Sequence, residues 1–199
     1  MKTFFDFILT SIGTIIISPL LIYLAYRINK EDPGPIIFKH TRIGKNGKPF
    51  SCYKFRTMVV DADKKLAKIL SENEELRTEF EKTRKLQKDP RVTKIGEILR
   101  KTSLDEFPNF INVLKGEMSL VGPRAVIDGE IELFGEHKDE VLSVKPGITG
   151  YWAVNGRSDT TYEERVEMES YYVRNMSFVL DAKIICKTVV SVLRKKGAV

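Results

Sequence analysis

From Phe7 to Tyr26 the chain carries twenty consecutive residues without a charged side chain, most of them apolar. A helix needs about 20 such residues to cross the roughly 30 Å hydrocarbon core of a bilayer, so this run constrains the molecule more than any other feature. A cleaved signal peptide is disfavoured: the run is too long, and no small-residue cleavage site follows it before Arg27. Two geometries remain, a kinked helix that spans the bilayer and a helix-break-helix hairpin that enters and leaves one leaflet. Three details favour the hairpin. Ser18-Pro19 sits mid-run, where the proline cannot donate to the carbonyl of Ile15 and its ring crowds that turn. The Ser18 hydroxyl is placed to satisfy the carbonyl so freed. Basic residues flank both ends, Lys2 before the run and Arg27 and Lys30 after it, so loop charge gives no direction of crossing. Asp6 shortens the apolar stretch and suits a helix end near headgroups. On these residues alone both geometries stay open.

Beyond the run, 199 residues with 42% hydrophobic content support one moderate core, and therefore one globular domain. Cys52 and Cys186 lie far apart without CxxC spacing, and His40 and His137 are the only histidines. A zinc site and an acyl-transfer triad are thereby excluded, and reduced thiols in a cytoplasmic compartment are expected. The formal net charge of +6 suits nucleic acid, an anionic membrane or phosphorylated ligands equally. The apolar run makes nucleic acid the minor option.

Asp32-Pro33-Gly34-Pro35 is a rigid turn separating membrane segment from soluble chain. Ile36 to Phe38 and Phe50 to Phe55 read as short strands around an Asn46-Gly47 turn. From Asp61 to about Lys88 the chain is densely charged, with Leu66, Ile69, Leu70, Leu76 and Phe80 near helical spacing, which predicts one or two mostly exposed helices. Asp61-Ala62-Asp63 matches a DxD metal pattern, but two acids opening a lysine-rich helix are what its dipole favours. Val92, Ile95, Ile98 and Leu99 predict a further helix weakened mildly by Gly96. Ser103-Leu104-Asp105-Glu106 has the form of a capping box and predicts a short helix from Leu104, although Pro108 strains that register. Glu117 to Val121 reads as a strand and Asp128 to Leu142 as an acidic helix. Gly122-Pro123-Arg124 and Lys145 to Gly150 read as ordered loops. Tyr162 to Arg174 and Phe178 to Arg194 read as final helices; the last carries apolar and lysine-rich faces that fit a membrane interface or a seat on the core equally.

Asp105 and Glu106, adjacent at a predicted helix start, are the centre of the chemical reading. Such a pair can hold Mg2+ beside phosphate groups, and one carboxylate can attack phosphorus. Acids in a first helical turn also commonly just cap it. Lys54, Arg56, Arg100, Lys101, Arg124 and Arg157 lie in or beside loop-like sequence, where cations can clamp a diphosphate. Individually each also fits a solvated surface charge. Tyr151 or Trp152 can stack on a base, and Trp152 fits a core position equally.

At these residues the chain resembles the bacterial sugar transferases, the monotopic phosphoglycosyl transferases, over nearly its whole length. The resemblance rests on Tyr53-Lys54-Phe55-Arg56-Thr57-Met58, on Arg100-Lys101-Thr102-Ser103-Leu104-Asp105-Glu106-Phe107-Pro108, on Met118-Ser119-Leu120-Val121-Gly122-Pro123-Arg124, and on Lys145-Pro146-Gly147-Ile148-Thr149-Gly150 leading to Asn155-Gly156-Arg157. It implies an α+β, mostly helical fold with a small β element and amphipathic interfacial helices. It implies that residues 1–30 form a re-entrant membrane helix broken at Ser18-Pro19, and residues 31–199 a cytoplasmic transferase domain. It implies a location at the cytoplasmic face of a bacterial inner membrane, with membrane lipid, a UDP-sugar and undecaprenyl phosphate as partners and no nucleic acid; a homodimer stays open. It implies that Asp105 attacks the β-phosphate of the UDP-sugar and releases UMP. Mg2+ is then held by Asp105 and Glu106, and the phosphosugar passes to the lipid as a first membrane step of polysaccharide synthesis. Lys54, Arg56, Arg100, Arg124 and Arg157 take substrate-binding roles. Two positions depart from the family pattern: Ala125 stands where the motif has proline, and Ala153 where it has glutamine. The charged segment from Asp61 to Lys88 and the C-terminal pattern resemble the galactose and glucose phosphotransferases, which points to a hexose. A catalytically idle membrane scaffold of the same family is the alternative, and a basic membrane or nucleic-acid module a more distant one.

Overall fold

The structure, a computed structural model, describes residues 2–83, 86–156 and 159–193. Helix α1 (Lys2–Glu31) is the apolar run. It continues through Pro19, so the expected break at Ser18-Pro19 is not an interruption of the helix. The reason is local: Pro19 removes one N–H, and the Ser18 hydroxyl donates to the Ile15 carbonyl at 2.8 Å, satisfying the one acceptor the proline orphans. Most of the helix surface is bare, with Ile15, Ile16 and Ile22 about 70% exposed.

Both ends of α1 are fastened to the globular body. At the start, Lys2 pairs with Asp181, and the Ser119 hydroxyl donates to the buried Asp6 carboxylate at 2.7 Å. Asp6 is thus a buried polar tie to the body. At the far end the Glu31 carboxylate accepts from the Lys94 and Ile95 N–H groups at 2.6 and 2.9 Å, and Asp32 pairs with Arg56. Leu24 and Ile28 complete a buried cluster with Phe55, Ile95 and Leu99.

Strands β1 (Ile37–Ile43) and β2 (Pro49–Phe55) pair antiparallel, with Ile37 opposite Phe55 and Ile43 opposite Pro49. Asn46 takes the left-handed conformation that the tight turn needs, at φ 56°. Helices α2 (Ala62–Glu72) and α3 (Glu74–Thr83) form the exposed charged excursion. Asp61 makes no side-chain cap there and pairs instead with Lys64 at 3.2 Å. Helix α4 (Lys94–Thr102) starts on Thr93, whose side chain accepts from the Gly96 N–H. The helix expected from Leu104 is instead a 3-10 turn, Leu104–Glu106, followed by α5 (Asn109–Leu114). No capping box forms, because Ser103 closes α4 in the left-handed region and its side chain caps nothing.

Strand β3 (Ser119–Val121) pairs in parallel with β4 (Gly147–Thr149), a strand within the segment expected to be loop. The acidic segment is a 3-10 stretch, Glu130–His137, kinked at Gly135, then α6 (Lys138–Leu142). A short α7 (Tyr151–Asn155) precedes α8 (Tyr162–Arg174), which Thr161 and Glu164 open with a reciprocal capping box. Helix α9 (Phe178–Leu193) buries Ile184 against Val121 and Tyr172 and leaves Phe178, Val179, Val189 and Val190 exposed. Its seat on the core and its bare apolar face coexist.

Gly96 is a packing requirement. A Cβ there would lie 2.0 Å from the Thr57 carbonyl oxygen, so α4 can approach the chain leaving β2 this closely only with hydrogen at that position. Helix propensity alone says that Gly96→Ala stabilises by about 1 kcal/mol. The contact reverses the sign, and the variant is expected to lose about 1–3 kcal/mol in denaturant unfolding. A raised unfolding midpoint would refute this seating of α4.

Candidate active site

The Asp105–Glu106 turn is built from both sides. Ser103, at φ 56° and ψ 18°, turns the chain off the end of α4, and Leu104 then packs against the cluster of Leu99, Phe55 and Ile28. Leu104 faces the core, and the next two residues are carried into the space beside β2. From the opposite side comes Lys54, the penultimate residue of β2. Two asparagines of α5 fix that strand. Asn112, fully buried, accepts from the Tyr53 N–H at 3.1 Å and donates to the Ser51 carbonyl and to Glu117, each at 2.7 Å. Asn109 accepts from the Cys52 thiol at 3.0 Å. An α5 side chain thus reads the strand's backbone on either side of Cys52, and Lys54 follows in register.

Lys54 Nζ lies 2.6 Å from Glu106 Oε1 and 4.0 Å from Asp105 Oδ2. The Asp105 side chain is 16% exposed. Burial pushes its carboxyl above the ordinary carboxylate range and Glu106 adds to that, while Lys54 and, more weakly, Arg100 pull it back. The two acids do not stand at the N-terminus of a long helix, so little helix dipole reaches them; Lys54 is the main charge that favours the ionised aspartate.

Glu106 and Lys54 also line an open cleft. Arg42, Arg124, Trp152 and Glu169 line its other parts. Arg42 donates to the Ala125 carbonyl at 3.3 Å, and burial and then Arg124 depress its pKa. Arg124 lies 5.8 Å from the centre of the Trp152 ring. Two guanidiniums crowding each other beside a lysine form a site that an anion relieves. Among the described residues no group of three or more His, Cys, Asp or Glu side chains is placed to hold a metal ion.

Of the residues singled out in the sequence, Lys54, Glu106 and Arg124 meet in this cleft. Asp105 borders it through Lys54 and is not in its lining. Arg56 is buried and donates to Asp32 at the end of α1, and Arg100 donates to the Thr57 hydroxyl at 3.0 Å; neither lines the cleft. Arg157 lies outside the described residues. Ser18 and Pro19 are within α1. Arg42 and Glu169 were not legible. Arg42 sits in a strand whose alternation gives no hint of a cleft, and Glu169 follows Arg165 by four residues, the spacing of an ordinary surface ion pair.

A bacterial sugar transferase family model matches residues 1–195. The undecaprenyl-phosphate galactose phosphotransferase of Salmonella typhimurium is 46% identical over 198 residues, all of this chain and 41% of that protein. The exopolysaccharide production protein ExoY of Sinorhizobium fredii is 41% identical over 197 residues, 99% of this chain and 87% of the relative. The UDP-glucose:undecaprenyl-phosphate glucose-1-phosphate transferase of Escherichia coli is 39% identical over 201 residues, 97% of this chain and 40% of the relative. The chain therefore spans about two fifths of the length of the Salmonella and Escherichia proteins.

Because the fold raises the Asp105 pKa, its ionised form is penalised in the folded protein relative to the unfolded chain. That penalty is absent below the unfolded pKa, grows as pH rises towards the folded one, and is complete above it. Asp105→Asn is accordingly expected to melt at a higher temperature than the parent at neutral pH, with the gap closing as pH falls through the carboxylate range. Thermal melts across pH check this; an Asn variant that melts lower at neutral pH would contradict it.

Proposed function

The chain belongs to the bacterial sugar transferase family, and from that membership we propose that it moves a hexose 1-phosphate from a UDP-sugar to undecaprenyl phosphate. The observation that carries the reading is the buried Asp105 beside Lys54 and Glu106, at the edge of a cleft holding Arg42 and Arg124. In this reading an Asp105 carboxylate oxygen attacks the β-phosphorus. The bond from that phosphorus to the bridging oxygen breaks, and UMP leaves with the electron pair, joining the phosphosugar to the enzyme. A phosphate oxygen of the lipid then attacks the same phosphorus, and the Asp105–phosphorus bond breaks to restore the carboxylate. Lys54 favours the ionised nucleophile, and Arg42 and Arg124 hold the diphosphate as charge shifts onto its oxygens. Glu106 either deprotonates the lipid phosphate or helps hold a metal.

Mg2+ suits the donors present, since it takes one or two carboxylates and fills its shell with water and phosphate oxygens. Asp105 and Glu106 would hold it, and it would supply neutralisation of diphosphate charge.

The membrane half of the proposal is a re-entrant α1. A 30-residue helix is about 45 Å long, and a spanning helix has its two ends on opposite sides of roughly 30 Å of hydrocarbon. The ties of Lys2 and Asp6 at one end and of Glu31 and Asp32 at the other, all to one globular body, support an α1 that enters and leaves the same face. The apolar residues left bare on α1 and α9 support contact with a membrane; in this reading that contact is in one leaflet at the cytoplasmic side of an inner membrane. The names of the Salmonella and Escherichia relatives support galactose or glucose as the sugar, and ExoY supports a role in exopolysaccharide synthesis.

The test is release of UMP from UDP-galactose or UDP-glucose by the chain in lipid nanodiscs containing undecaprenyl phosphate. Asp105→Asn is expected to lower turnover by about a thousandfold or more, and chelation of Mg2+ to stop it. Without the lipid acceptor, mass analysis should find a phosphohexose on Asp105. Undiminished turnover by the Asn variant would overturn the assignment, and binding of both sugar nucleotides without UMP release would mark an idle scaffold.

A further inference from the structure

Glu169 is the one carboxylate in the cleft lining that the proposed chemistry leaves unused. It projects from α8 and is 1% exposed. One oxygen, Oε1, accepts from the Arg124 N–H at 3.0 Å; the other, Oε2, is buried without a hydrogen-bond partner. A Cβ on Gly150 would come within 3.9 Å of Oε2, and Gly122, Ala125 and Ala153 line the same cleft with no polar side chain. A buried oxygen left unmatched costs free energy that a ligand can recover, and Glu169 is among the residues lining the cleft where the cationic groups gather.

The charge state of that oxygen decides what it can bind. An ionised Glu169 would present negative charge to the diphosphate held by Arg42, Lys54 and Arg124. The neutral acid keeps its carbonyl-type oxygen on the Arg124 N–H and turns the second oxygen into a donor. The geometry points to Glu169 as a ligand-recognition residue that binds as the neutral acid, its Oε2 hydroxyl donating to a phosphoryl oxygen of the bound diphosphate. The inference rests on reading this cleft as a sugar-nucleotide site.

The surroundings support the neutral form. Burial is the main cause that lifts the Glu169 carboxyl to about 7, against weaker pulls from the Arg124 N–H and from the Arg165 and Arg124 charges. Arg165, one turn earlier on α8, donates through Nη1 to Glu130 at 2.6 Å and lies 4.7 Å from the centre of the Trp152 ring, while its Nε and Nη2 are buried without a hydrogen-bond partner. Tyr162 and Tyr172, also of α8, feel the Glu169 charge, and both phenols are held neutral by burial. Tyr172 donates to the Val121 carbonyl and to Asp181. Across the cleft stand Arg42 and Lys54 with Glu106.

The experiment measures binding of UDP-glucose and UDP-galactose by calorimetry to the full chain in nanodiscs, from about pH 6 to about pH 9. Asp105→Asn is the background, so that neither turnover nor that carboxyl contributes, and the diphosphate diester itself does not titrate in the window. Affinity is expected to hold at the acid end and to fall about tenfold per pH unit once pH passes about 7. Adding Glu169→Gln, which keeps an acceptor for Arg124 and supplies an N–H donor, should bind as tightly as the acid form at every pH. Adding Glu169→Ala should bind weakly at every pH while melting cooperatively. A flat profile with Glu169 present, or loss of binding by the Gln variant across the whole range, overturns the inference. So does a Gln variant that retains the slope. Failure of both sugar nucleotides to bind at any pH is a different pattern and removes the sugar-nucleotide reading, and this inference with it.

Discussion

The fastening of both ends of one apolar helix to one globular body governs the rest of this molecule. Asp6 and Lys2 hold the start of α1 to β3 and α9, and Glu31 and Asp32 hold its end to α4 and to Arg56. The last turns of α1 enter the core directly, since Leu24 and Ile28 share a buried cluster with Phe55, Ile95 and Leu99. Leu104 packs against that cluster, and Phe55 follows Lys54 in β2. The element that meets lipid and the two elements that bring Asp105 to Lys54 are therefore joined through a few shared side chains. Close-packed interiors transmit displacement, so the depth of α1 and the position of the carboxylate are not independent.

That coupling explains why polar residues are spent on the ends of α1. In hydrocarbon an orphan backbone group is costly, and Ser18 removes the one that Pro19 creates. At the ends the same logic works in reverse: Asp6, almost fully buried, has a serine hydroxyl to accept from, and the Glu31 carboxylate satisfies two of the N–H groups that open α4. Each tie is specific in direction, which a purely apolar contact is not.

Local signals carried much of the architecture. The length of α1, the Asn46 turn, the charged excursion and the bounds of α8 follow from periodicity and turn chemistry acting over a few residues, and so does the partner of the Ile15 carbonyl. What escaped was set by contacts distant in sequence. Strand β4 is three residues long and exists because β3 lies beside it, with Gly122 and Gly147 so close that a Cβ on Gly147 would lie 2.1 Å from the Gly122 nitrogen. Gly96 looks like a flaw in a helix until Thr57 is seen against it. Ser103 and Glu106 have capping-box spacing, but the left-handed turn that ends α4 takes Ser103 first. At the site, Asp105, Glu106 and Arg124 stood out because they lie in motif-like turns and loops, and Lys54 because it lies in the Tyr53-Lys54-Phe55-Arg56 motif at the end of β2. Arg42 and Glu169 stand in a regular strand and helix, where a charged residue is ordinarily a solvated face.

The acids in and beside the cleft have different neighbours. Glu106 has a lysine within 2.6 Å, while Asp105 shares that lysine at 4.0 Å and is largely desolvated. Glu169, deeper still, accepts a backbone N–H on one oxygen and feels the charges of Arg165 and Arg124. Burial deepens from Glu106 through Asp105 to Glu169, and burial favours the neutral acid. Under the proposed chemistry, the nucleophile suits the middle of such a series. Full ion pairing would dull a carboxylate towards phosphorus, and complete burial without a cation would leave it protonated. Asp105 has partial burial and a lysine one step beyond contact, which keeps the anion accessible at a cost to the folded state that the rest of the core must carry.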